Sequence, residues 1–308
     1  RARRALEVAA AGDHDVLVVG TPGCGKTLLA SRLPGLLPEA SETEALETAA
    51  IASVSGRGLD PSRWRQRPYR SPHHTASAVA LVGGGADPRP GEISLSHNGV
   101  LFLDELPEWD RKALEVLREP LESGTVTVSR AARSSEFPAR FQLVAAMNPC
   151  PCGWAGDPSG RCRCSPEHIR RYRARISGPL MDRIDLHIEV PRLPPQDLRP
   201  DAPNGEATFL IRARVEQART VQLQRAGKAN AQLGQAETMA FCRLQDRDQA
   251  LLERAIERLQ LSARSMHRIL RVARTIADLA GAEDIATPHL TEALGYRRMD
   301  RGQGQQAA

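Results

Sequence analysis

The sequence predicts an α/β protein, a parallel-sheet core followed by an all-helical domain, and three observations carry the prediction. Short apolar runs at Val16–Val19, 99–103 and 141–147 end in polar or glycine-rich residues, the pattern of buried parallel strands. The first run enters a glycine-rich turn that opens a helix-like Leu28, Leu29, Ala30. After Val190 the period changes, and from about 206 to 298 apolar residues recur at helical spacing with no convincing strand.

Composition sets the outer bounds. A chain of 308 residues is long enough for two domains and a sizeable core, and 41% hydrophobic with 26% charged residues is ordinary for a soluble globular protein. No apolar run approaches the roughly 18 residues of a membrane span, so no membrane partner is expected. With Arg1 in place of Met and no signal-like leader, the sequence reads as a fragment of a longer, cytoplasmic protein. The net charge of +5 permits a polyanionic partner without requiring one. Arginines gather at Arg63, Arg65, Arg67 and Arg70, and again at Arg161, Arg163, Arg170, Arg171, Arg173 and Arg175. Aromatic residues make up only 4%, which argues against a surface built mainly on base stacking.

Gly20-Thr21-Pro22-Gly23-Cys24-Gly25-Lys26-Thr27 is a G-x-x-x-x-G-K-T phosphate loop in its strand-to-helix setting, with Leu28 continuing the nucleotide-binding stretch. Gly23 and Gly25 let backbone N–H groups turn toward phosphate, Lys26 reaches the β- and γ-phosphates, and the Thr27 hydroxyl ligates Mg²⁺. Cys24 has no evident partner and reads as loop filler. The second apolar run ends in Asp104 and Glu105, placed to hold the Mg²⁺ shell and to polarise an attacking water; the same carboxylates would also serve as a helix N-cap before Pro107. The third run ends in Asn148, which a parallel sheet would aim at the γ-phosphate. This pairing of acids predicts ATP hydrolysis rather than transfer to a small molecule.

Between the second and third runs, residues 124–130 and 135–141 alternate around a short turn and predict a β-hairpin with Arg130 and Arg133 at its tip. These two arginines are candidate DNA phosphate contacts, or simply solvated turn residues. The long stretch between Lys26 and Asp104 leaves room for an insertion whose flexible part is Gly83–Gly91. Four of the six cysteines form C-x-C-x₉-C-x-C at Cys150, Cys152, Cys162 and Cys164. Four thiolates in a turn-rich loop suit a structural Zn²⁺, with free thiols, a disulfide or an iron–sulfur centre as alternatives. Residues 193–205 read as a linker, 206–298 as a helical lid and 299–308 as a flexible tail, leaving 1–192 as the core. The strongest helix of the lid has Ser262 as N-cap and Met266, Ile269, Leu270, Ala273 and Ile276 as its apolar face, with Arg268, Arg271 and Arg274 expected on a solvated face.

Taken together, the phosphate loop, the Asp104-Glu105 pair, Asn148 as sensor 1 and the hairpin before it resemble a P-loop AAA+ ATPase of the pre-sensor-1 hairpin group. Three stretches narrow this: Arg70-Ser-Pro-His-His-Thr, the run from Pro90 to Glu105, and Ile176-Ser-Gly-Pro-Leu-Met-Asp-Arg183-Ile-Asp-Leu-His. They resemble the magnesium-chelatase-like ATPases of the ComM/YifB family over almost the whole chain. The resemblance implies an insertion in the second core helix and a hexameric ring acting on single-stranded or branched DNA. It further implies a helicase or branch-migration motor in recombination or natural transformation. It implies that Arg183 is an arginine finger supplied to a neighbouring subunit, though a surface Arg183 paired with Asp182 or Asp185 would explain the residue too. It also implies that Arg264 is the sensor 2 arginine, reading the γ-phosphate across the domain cleft. The rival reading is the motor subunit of a metal chelatase, which remodels a protein partner. An activator of alternative-sigma-factor transcription would carry a GAFTGA loop, which residues 56–98 lack.

Overall fold

A computed structural model describes residues 2–297 except 57, 59, 86, 87, 131, 132, 193, 195–198 and 200–204, and omits the side chains of 129, 130 and 133. Nine strands are described: β1 (Val16–Gly20), β2 (Tyr69–Arg70), β3 (Gly83–Gly84), β4 (Arg89–Pro90), β5 (Val100–Leu103), β6 (Thr125–Arg130), β7 (Arg133–Pro138), β8 (Gln142–Met147) and β9 (Leu186–Val190). Five make one parallel sheet in the order β2-β5-β8-β1-β9, with Val16 opposite both Val144 and Leu186. The expected α/β core is therefore present, with β1 near the middle, where its carboxyl end meets the ends of β5 and β8.

Both faces of the sheet are covered, which is why its strands read as continuous apolar runs instead of alternating ones. Val16, Val18, Phe102, Val144 and Ile188 share a core with the Ala2–Gly12, Thr208–Ala226 and Ala263–Leu279 helices. Leu17, Leu101, Leu103, Leu143 and Met147 face the other way, onto Trp109, Tyr172, Leu180 and the hairpin residues Val126 and Val128. Strands β6 and β7 pair antiparallel out to Arg130 opposite Arg133. The second hairpin strand thus runs about two residues earlier than the sequence suggested, and Phe141 instead leads into β8, because Ala139 N–H closes the hairpin base on Gly124 O at 2.8 Å. In the insertion, β3 and β4 form a two-residue ribbon where a flexible stretch was expected.

The helical part carries Thr208–Ala226, Gln235–Phe241, Asp246–Leu259, Ala263–Leu279 and Thr287–Gly295, with no strand among the described residues beyond β9. Ser262 caps the Ala263–Leu279 helix by accepting from Ser265 N–H at 3.2 Å, as its position predicted. The expected solvated face of that helix is not solvated. Arg268 donates to Asp185 at 2.7 Å and to the Arg183 carbonyl at 2.6 Å, and Arg271 donates to the Ala231 and Leu233 carbonyls. Arg274, only 3% exposed, joins Asp278 and the carbonyls of Ala282 and Glu283. These guanidiniums satisfy carbonyls and carboxylates buried by packing, which a charge pattern on one helix cannot reveal. The supposed linker and tail fall almost wholly outside the described residues.

Candidate active site

Strand β1 delivers Gly20 to the carboxyl edge of the sheet, where the chain turns through Gly23 (φ +76°) and Gly25 (φ +90°) into the Lys26–Arg32 helix. Both glycines occupy left-handed backbone, and a Cβ on either would meet nothing within 4 Å, so φ and not crowding is what calls for glycine at these two positions. Cys24 is buried under the loop against Gly20, consistent with filler, and Thr21 Oγ1 is buried without a partner. Pro22 and Leu28 are exposed.

The three carboxyl-edge motifs converge. Lys26 Nζ donates to Asn148 Oδ1 at 3.0 Å and to the carbonyls of Gly20 and Thr21 at 2.8 and 3.2 Å, bridging the ends of β1 and β8. Thr27 Oγ1 donates to Asp104 Oδ2 at 2.9 Å, bridging to the end of β5. A hydroxyl and a carboxylate paired beside the turn into a helix are the donor set that Mg²⁺ with phosphate would take, so the residues fit ATP with Mg²⁺. Glu105 has φ +51° and ψ 45°, a left-handed conformation rare outside glycine, held by its N–H donating to Asp104 Oδ1 at 2.8 Å. Trp109 Nε1 donates to the Asp104 carbonyl at 2.9 Å and steadies the same turn.

Sequence reasoning missed His74. Its Nδ1 lies 3.2 Å from Glu105 Oε2, and its ring meets that of His73 at 4.2 Å between centroids, tilted by 32°. The only signal was the His-His pair just after β2, which has no periodicity and no fixed distance from Glu105.

Arg183 and Arg264 are not at this site. Arg183 precedes β9, whereas Gly20 ends β1 opposite Val190, so the length of a five-residue strand, about 16 Å, separates the two edges. Arg183 is 8% exposed and bonds neither Asp182 nor Asp185; it donates to Glu122 Oε2 at 2.5 Å and to the Pro179 carbonyl at 2.8 Å. Its guanidinium, with Arg264 nearby, holds the Glu122 carboxyl below the usual carboxylate range. Arg264 is exposed and lines a cleft of about 780 Å³ with Glu122, Gly124, Arg140 and Lys228, between the helical part and the amino edge of the sheet. Reading the γ-phosphate of its own subunit's nucleotide across a domain cleft is therefore not the geometry found. The helical part packs on the sheet face that also carries the Ala2–Gly12 helix.

The side chains of Arg130 and Arg133 lie outside the described residues; their backbones form the last pair of the hairpin ladder. Much of the two arginine clusters is occupied internally: Arg67 with Glu44, Arg70 with Glu92, Arg171 with Glu167 and Arg175 with Glu108.

The four cysteines converge as a closed group, all four sulfurs lying within 4.8 Å of one another. A tetrahedral zinc with bonds near 2.3 Å sets its sulfurs about 3.8 Å apart. Cys162 Sγ is 3.8 Å from both Cys150 and Cys152, and Cys150 is 3.3 Å from Cys152. Backbone N–H groups of Arg163 and Trp154 bring the Cys152 thiol down to about 6, while the crowding of sulfurs pushes Cys162 up and Cys164 up to about 11, so the fit rests on the geometry of the four sulfurs. The donor set therefore fits a thiolate-bound metal.

Two family models cover the chain. The magnesium chelatase, subunit ChlI, matches residues 1–198, and the ChlI C-terminal model matches 205–297. Competence protein ComM of Haemophilus influenzae is 55% identical over 97% of this chain and 58% of its own length. The protein YifB of Escherichia coli is 51% identical over 97% of this chain and 59% of its own length, so the chain spans under two thirds of these relatives. An MCM-type protein of Methanocaldococcus jannaschii, MJ0961, is 26% identical over 56% of the chain and 19% of its own length. With the fold and the convergent motifs, these matches mean that the chain belongs to the ComM/YifB family of magnesium-chelatase-like AAA+ proteins.

Proposed function

We propose that this chain is an Mg²⁺-dependent ATPase of a homo-oligomeric, hexameric ring that works on DNA as a helicase or branch-migration motor. The observation that carries the reading is the junction of Lys26 with Asn148 and of Thr27 with Asp104 where the glycine loop turns into its helix. Lys26 and the loop N–H groups bind the β- and γ-phosphates, and Thr27 and Asp104 would hold Mg²⁺, which neutralises phosphate charge when bound. Glu105 orients and polarises the attacking water, and Asn148 marks the γ-phosphate end of the pocket.

The two remaining arginines support the ring. Arg183 and Arg264 flank Glu122 at the opposite edge of the sheet, so both serve the nucleotide of a neighbour, where a guanidinium stabilises charge in the transition state. Glu122 keeps Arg183 neutralised until that partner arrives. The four cysteines hold one structural Zn²⁺.

DNA as substrate is supported by the competence name of the relative that matches over most of this chain and by the MCM-type relative. The hairpin tip at Arg130 and Arg133 is the proposed phosphate contact. The magnesium chelatase name of the matching models supports a second reading, a motor subunit that remodels a protein partner. ATPase rates without DNA, and with single-stranded, duplex and branched DNA, separate the two. The first reading predicts stimulation by single-stranded or branched DNA; a rate indifferent to every DNA favours the second.

A further inference from the structure

The cysteine loop touches the phosphate loop. Gly153, directly after Cys152, has φ +83°, and a Cβ there would fall 2.7 Å from Cγ and Cδ of Pro22 and 3.8 Å from Cγ of Asn148. Its bare backbone therefore rests on the proline ring of the nucleotide loop and beside the side chain that meets Lys26. Gly153 N–H donates to the Cys150 carbonyl at 2.9 Å, and Ala155 N–H points at Cys150 Sγ at 3.3 Å, so Cys150–Gly153 is one tight turn. Behind the turn, Arg173 Nε donates to the Pro149 carbonyl at 3.3 Å.

Apart from the sulfurs, the loop is held by polar contacts, Arg173 on the Pro149 carbonyl and the Arg161 and Arg192 guanidiniums over Trp154. Cys150 and Gly153 are buried, but no residue from Trp154 to Ser165 is, so the segment carrying Cys162 and Cys164 has almost no apolar burial of its own. A segment of that kind takes its shape from metal binding. The geometry points to a second role for the cluster: by tying the Cys150–Gly153 turn to Cys162 and Cys164, the metal seats Gly153 on Pro22 and sets the phosphate loop and Asn148 for nucleotide. Gly153 is then a positioning residue for ATP binding, and metal and nucleotide are coupled ligands. The inference rests on the zinc reading above and extends it from stability to the nucleotide site.

The test measures metal by elemental analysis and affinity with a fluorescent ATP analogue plus Mg²⁺, on protein purified without chelators or a metal-affinity column. The untreated chain should carry about one zinc. Stripping the metal should weaken analogue binding by about tenfold, the scale expected when a supporting contact is misplaced by a fraction of an ångström, and zinc should restore it. Gly153→Ala should keep its zinc and lose affinity to a similar extent. Pro22→Ala, which removes the ring from the other side of the contact, should weaken binding too and serves if Gly153→Ala fails to fold by circular dichroism. A folded chain that holds no metal yet binds the analogue normally overturns the zinc reading and this inference together. A chain that holds zinc, but binds equally well when stripped and in both variants, overturns the inference alone.

Discussion

Lys26 and Glu105 stand at the ends of neighbouring carboxyl-edge motifs but are proposed to act on different partners, so their losses should differ. If Lys26 holds ground-state phosphate and Glu105 acts on water, as proposed, Lys26→Ala should abolish ATP binding while Glu105→Gln keeps ATP bound and loses about 10²-fold or more in hydrolysis. Equilibrium binding combined with single-turnover hydrolysis checks this; equal loss of affinity in both variants would contradict the roles. His74 meets Glu105 at 3.2 Å and positions a side chain whose backbone is already in the left-handed region. His74→Ala should lower kcat about tenfold with ATP affinity little changed, and His74→Asn, which keeps a polar partner, should recover most of it. A kcat equal to wild type in His74→Ala would remove His74 from the site. Lys26, Thr27 and Asp104 were legible in the sequence because phosphate chemistry demands those residue types at a fixed spacing after an apolar strand. His74 was not, because its contact joins the loop after β2 to the end of β5, and no periodicity records such a meeting.

The strands and the capped Ala263–Leu279 helix could be read from apolar period and from Ser262, since backbone propensity and burial act locally. The seat of that helix could not, because it depends on partners far away in sequence. Asp185, before β9, receives Arg268 at 2.7 Å and lies 3.0 Å from His14 Nδ1. Although the residue is buried, the Arg268 guanidinium and the hydrogen bond with His14 hold its carboxyl well below the usual carboxylate range. A depressed carboxyl stabilises the fold above the unfolded value of about 4, and that contribution is lost as pH falls through the lower folded value. At neutral pH it is fully present. Asp185→Asn should therefore destabilise by about 3–5 kcal/mol in denaturant unfolding at pH 7, since it leaves Arg268 buried without its counter-charge. A loss below about 1 kcal/mol would mean that water or a carbonyl replaces the carboxylate.

At the scale of the whole molecule, the phosphate-binding groups sit at the carboxyl edge of the parallel sheet and Arg183 and Arg264 at the amino edge, with the helical part on one face. The two sets lie apart within this subunit, whereas the proposed head-to-tail ring would bring them together at every interface. That arrangement could not be read from spacing alone: the motif residues are in order along the chain, but which edge of the sheet each one occupies depends on strand direction. The most direct test mixes two inactive proteins, Lys26→Ala, which lacks a working pocket but keeps its arginines, and Arg183→Ala, which keeps its pocket but lacks the finger. If Arg183 acts on a neighbour, mixed rings regain part of the ATPase activity, because some interfaces pair an intact pocket with an intact arginine. No recovery, in mixtures shown to co-assemble, would contradict the account.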